Sequence, residues 1–151
     1  MKLAEALNAR KELEARLARL EERLDASARV QEGLAPAEDP DELYEMIDRV
    51  SAELTDIVAR ISRTNVSTVV DGRLLAELIA ERDVSQKLFR VMRSVLRASV
   101  PNYGRYDGPG SIRSVTTYDI AARHAEVDAL AHRINVLDAR IQKANWETEL
   151  A

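Results

Sequence analysis

One pattern limits what this chain can become. Leu3, Ala6, Arg10, Leu13, Leu17, Leu20 and Leu24 recur at alternating threes and fours. No glycine or proline interrupts the chain from Lys2 to Arg29. Such spacing lays one apolar seam along an α-helix and is incompatible with the two-residue period of a strand. The same spacing returns in Leu43, Ile47, Val50, Leu54, Ile57 and Ile61. It returns again in Leu75, Leu78, Arg82, Ser85, Phe89, Met92 and Leu96, and in Ile120, Arg123, Val127, Leu130, Ile134, Leu137, Ile141 and Ala144. The reading is an all-α protein of four long antiparallel amphipathic helices, an elongated bundle of coiled-coil-like hairpins.

Punctuation between the seams sets the boundaries. Gly33, Pro36 and Pro40 separate the first two helices. Asp39 can cap the second, with Pro40 at its first position and Glu42 completing a capping-box pattern. Asn65 is expected to stop that helix, because Asn tolerates the left-handed conformation. Residues 65–73 are β-branched and contain Asp71-Gly72, which suggests a short strand or turn. Residues 99–117 form the longest irregular stretch, with a possible short strand over 112–117. The fourth helix is expected to start at Thr116 or Thr117, either of which can cap it. At 151 residues the chain is long enough for a single helical domain, 1–151.

Helix three carries a second apolar stripe, Val84, Leu88, Val91 and Val95. A helix with so wide an apolar face normally touches two neighbours. Four thin helices leave more stripe than one narrow core can absorb, so the surplus is expected to pack against other copies of the chain. Trp146, the only tryptophan, reads as a packing or interface anchor.

Charge and composition exclude several classes. There is no cysteine, hence no disulfide and no thiolate metal site. The 22 basic and 26 acidic residues alternate along most of the chain, as on solvated helix faces. The N-terminus has charge from Lys2 onward and no apolar core of a secretory signal. No membrane-spanning run is present, and a cytoplasmic protein is expected. No Gly-rich phosphate loop, GxSxG or HExxH occurs, and nothing marks the chain as an enzyme. The residues identify no cofactor.

Three features bear on chemistry. The first is arginine at seam positions Arg10, Arg82 and Arg123. Arginine keeps its charge, so one that is buried must be paired. The heads can snorkel to water, they can form ion pairs with Glu5, Glu81, Asp83 or Glu126, or they can converge on an anion at a subunit interface. The second feature is a basic segment: Lys87, Arg90, Arg93, Arg97, Arg105 and Arg113 stand against Asp107 alone, with Tyr103 and Tyr106 nearby. That pattern can bind phosphate or nucleic acid, or complement the C-terminal dipole of helix three. The acidic chain as a whole speaks against nucleic acid. Third, His124, Asp128 and His132 share one helical face at four-residue spacing. These are weak metal-ligand candidates, since a straight helix holds the two histidines about 12 Å apart.

The order of KLAEALNARKELEARLARLEERL, VQEG, EDPDEL, ISRTN, LAELIAERD and IQKANWETEL resembles a bacterial family of small helical proteins of unknown function, some of whose members are labelled septicolysin. The resemblance spans nearly the whole chain. It implies an all-helical fold that assembles into homo-oligomers, with the hexamer as the implied form, and it implies no activity. The septicolysin label would imply a membrane-active cytolysin, yet no membrane-inserting element is visible. Within the matched motifs, Gln31, Glu32, Asn65, Arg82 and Asp83 are the polar residues of interest. A non-enzymatic homo-oligomeric helical assembly with a scaffolding or interaction role is therefore the leading expectation. A small anion- or metal-binding protein is the alternative.

Overall fold

The structure, a computed structural model, describes residues 1–99 and 115–151. Four helices account for most of it: α1 (Leu3–Ser27), α2 (Pro40–Ser67), α3 (Leu75–Ala98) and α4 (Ile120–Glu147). A two-stranded antiparallel sheet, β1 (Val69–Val70) with β2 (Arg73–Leu74), lies between α2 and α3. The fold is all-α, as the seams require. The described residues form two compact units. One comprises Met1–Leu75 with Gln142–Ala151, the other Ala76–Ile141.

In the first unit, α1 and α2 make an antiparallel hairpin. Leu20, Leu43 and Val50 are its dry centre, with Leu13, Leu17, Leu24, Met46 and Ile47 packed around them. All but Met46 are seam residues, so heptad spacing on both helices becomes one interface. Asp39 caps α2 by accepting the Asp41 N–H at 2.9 Å, and Pro40 occupies the first turn, where no amide is needed. An ion pair between Arg23 and Glu38 ties the connecting segment back to α1.

The end of α2 departs from expectation. Asn65 does not stop the helix. The helix continues to Ser67, and Thr68 is its C-cap in extended conformation. The hydroxyls of Thr64, Ser67 and Thr68 bond carbonyls of the preceding turn, which keeps the last turn satisfied. The left-handed residues sit later, at Asp71 (φ 50°) and Gly72 (φ 80°). Two successive positive φ values make the mirror-type turn that a two-residue hairpin prefers.

The ends of the chain close this unit. Leu3 N–H donates to the Thr148 carbonyl and Leu150 N–H to the Met1 carbonyl, each at 2.9 Å, around a β-bridge between Lys2 and Glu149. The Ala151 N–H reaches the Thr64 hydroxyl at 3.0 Å, and Arg60 Nε donates to the Ala151 carbonyl.

In the second unit, α3 and α4 run antiparallel. Arg82 meets Asp138 near one end, and Ser99 meets Tyr118 near the other. Val127, Leu130, Ile134, Leu137 and Ile141 of α4 are buried, as are Leu78, Ser85 and Leu96 of α3. Asp119, rather than Thr116 or Thr117, caps α4: its carboxylate accepts the Ala122 N–H at 3.0 Å. Residues 115–117 are not in a strand, and 112–114 lie outside the described residues.

Candidate functional site

The three seam arginines all take carboxylate partners. Arg10 Nε stands 3.3 Å from Glu14 one turn on, close enough to attract but without hydrogen-bond geometry. Arg82 is the most enclosed of the three. Its Nε donates to Asp83 at 2.8 Å and its Nη1 to Asp138, across on α4, at 3.2 Å. Burial works against the Arg82 charge, but the bonds to Asp138 and Asp83 outweigh it and hold the guanidinium above its ordinary pKa. Arg123 donates to both oxygens of Glu126 at 2.7 Å, which likewise raises its pKa. Arg82 and Arg123 are not brought together. Asp138, the partner of Arg82, lies along α4 from Arg123 by about 22 Å at 1.5 Å per residue.

The remaining polar candidates serve the backbone or face water. Gln31 and Glu32 are exposed, and the Gln31 carbonyl accepts Leu34 N–H in a turn where Gly33 takes φ 90°. Asn65 is half-buried within α2. His124, Asp128 and His132 are exposed on α4, and among the described residues no group of three His, Cys, Asp or Glu side chains gathers to hold a metal. Trp146 is 58 % exposed.

The second stripe of α3 is where the structure is most unusual. Leu75, Leu78, Ser85 and Leu96 are buried, whereas Val84, Leu88, Val91 and Val95 are 64, 49, 59 and 50 % exposed. The helix thus satisfies one apolar face and leaves the other open. Val91 and Val95 continue into a groove of about 280 Å³ with Met92, Leu96, Tyr118 and Arg123.

On another side of the same helix pair lies a groove of about 420 Å³ with a different character. Phe89, Arg93, Leu96 and Arg97 of α3 face His124, Val127, Asp128 and Ala131 of α4. Two features considered separately in the sequence, the basic run and the His124–Asp128 pair, are juxtaposed here. Arg105, Arg113, Tyr103 and Tyr106 lie outside the described residues.

The chain matches, over residues 10–150, the model of a family of unknown function, DUF6847. It belongs to that family. A solved structure is similar throughout: "Crystal structure of a functionally unknown conserved protein from Corynebacterium diphtheriae" is 34 % identical, with a TM-score of 0.92. The match covers 100 % of this chain and 99 % of that one. No curated protein matches. The DUF6847 description names no activity, and the septicolysin label finds no support in either comparison.

Proposed function

We propose that this DUF6847 protein works by self-association, as a non-enzymatic homo-oligomeric helical assembly. The observation that carries the reading is the open stripe Val84, Leu88, Val91 and Val95. Four large aliphatic residues in register on one helix face are costly to leave in water, at about 25 cal/mol per Å² of apolar surface. A second copy is the occupant argued for. Lys87 and Arg90 border the stripe, and no acidic residue occurs between Val84 and Ala98, while the chain as a whole carries a net charge of -4. Other copies therefore offer complementary charge.

The alternatives have less behind them. An anion site at Arg10, Arg82 and Arg123 competes with the carboxylates those arginines already hold. A membrane-lytic role rests on a label, and no helix among the described residues is long and apolar enough to cross a membrane.

Light scattering after size-exclusion chromatography tests the proposal. The wild-type chain is expected at a multiple of 16.9 kDa. Leu88→Glu and Val91→Glu should lower that mass while helical circular dichroism is retained. A monomeric wild type, or folded variants with unchanged mass, would overturn it.

A further inference from the structure

The groove between α3 and α4 combines residues that a solvated helix face would not need. Arg93 and Arg97 are one turn apart on α3, and both are exposed and line the groove. Among the described residues neither has a carboxylate partner. This contrasts with Arg10, Arg82 and Arg123, each of which stands within 3.3 Å of one. Arg93 instead holds its guanidinium 5.5 Å over the Phe89 ring, a contact that orients the fork without neutralising it. His124 adds a ring nitrogen from α4. Asp128, one turn further along α4, also lines the groove and has no cationic partner among the described residues.

Antiparallel packing sorts these groups. Arg82 pairs with Asp138 and Ser99 with Tyr118, so residues of α3 and α4 whose numbers sum to nearly the same value stand opposite each other. Arg97 and His124 therefore stand toward one end of the groove, with Arg93 and Asp128 next along it. The groove thus sets one acceptor beside two five-donor forks. Arginine forks match the oxygens of a phosphate, and a lone carboxylate nearby matches a hydroxyl or amino donor.

We infer that this groove binds a small organic phosphate, its phosphoryl group held by Arg93, Arg97 and His124 and a hydroxyl or amino group held by Asp128. The groove's volume of about 420 Å³ suits a ligand of that size. The inference is independent of self-association, because every lining residue belongs to one copy of the chain.

Calorimetric titration of the full chain with inorganic phosphate, glycerol 3-phosphate and glycerol decides the matter. Glycerol 3-phosphate should bind more tightly than inorganic phosphate, and glycerol should not bind measurably. Arg97→Gln should weaken both anions at least tenfold, since it removes the donors of one charge-assisted fork. Asp128→Asn should abolish the preference for the ester and tighten inorganic phosphate, because it removes a like charge. Arg97 and Asp128 are exposed, so both variants should keep the wild-type melting curve. Arg19→Gln, in the other unit, serves as a control and should change nothing. Absence of phosphate binding at millimolar concentration would overturn the inference, as would binding that Arg97→Gln leaves intact. Co-sedimentation with phosphatidic acid vesicles, lost in Arg97→Gln, would overturn the assignment of a free ester in favour of a lipid headgroup.

Discussion

Lys2 places its ammonium 2.6 Å from the Glu149 carboxylate, and the two residues form a β-bridge. The pair joins the start of α1 to the segment that follows α4. The bond from Lys2, together with the one from the N-terminal ammonium, holds the Glu149 carboxyl below its ordinary pKa. A carboxyl whose folded pKa is depressed stabilises the fold above its unfolded value. That contribution is lost as pH falls through the folded value. Acidification should therefore loosen the terminal clasp first. The Leu3 and Leu150 amides, which bond Thr148 and Met1, should lose protection relative to their intrinsic exchange rates at low pH. Glu149→Gln should show the reduced protection already at neutral pH. Equal protection in the variant would mean that the backbone bonds hold the clasp without the charge.

Arg82 and Asp138 join α3 to α4 through a partly enclosed pair, with side-chain exposures of 25 and 38 %. A double-mutant cycle with Arg82→Met and Asp138→Asn should give a coupling of about 1 kcal/mol, as expected for a charge-assisted bond that water still partly screens. Asp83→Asn should cost less than Asp138→Asn, because Asp83 is more exposed and neighbours Arg82 on the same helix. Chemical denaturation measures both. A coupling indistinguishable from zero would make Arg82 a snorkelling residue that merely passes near Asp138.

Gly72 carries φ 80° directly after Asp71 at φ 50°. Nothing lies within 4 Å of a Cβ built there, so a substitution meets no steric barrier beyond its own backbone. Gly72→Ala should then cost about 1 kcal/mol through conformation alone. Asp119→Ala should cost a similar ~1 kcal/mol by freeing the Ala122 amide at the start of α4. Thermal melts of the two variants test them separately. If Thr116 or Thr117 took over the cap, the second loss would vanish.

Much of this architecture is legible in the sequence, because heptad spacing is a local property. Leu20, Leu43 and Val50 can be identified as core from their three-and-four spacing, and the hairpin turn from Asp71-Gly72. Helix ends are less legible. Asn65 tolerates the left-handed region, but the hydroxyls of Thr64 and Thr68 bond the final turn and carry the helix past it. At the other end, Asp119 stands beside two threonines that are comparable caps, and which one is used depends on where the chain enters α4. The clasp of Lys2 with Glu149 is invisible to any local rule, since its partners lie at opposite ends of the sequence. The groove is an intermediate case. A basic run without acids from Val84 to Ala98 can be read directly. That His124 and Asp128 face this run follows only from the register of α3 against α4.

The open stripe of α3 makes a prediction about concentration. Val91 is 59 % exposed and Leu88 49 % exposed in the single chain, so within one copy their truncation should be nearly neutral. Leu43, 1 % exposed, should by contrast lose about 2–5 kcal/mol on change to Ala, at any protein concentration. If self-association buries the stripe, the oligomer is stabilised by mass action and its melting temperature rises with protein concentration. Val91→Ser should flatten that dependence and leave the melting temperature at high dilution unchanged. Leu43→Ala should instead lower the whole curve and preserve its slope. Melting curves of the three proteins over a wide dilution series separate the two effects. A wild type whose melting temperature ignores concentration would mean that the stripe stays in water.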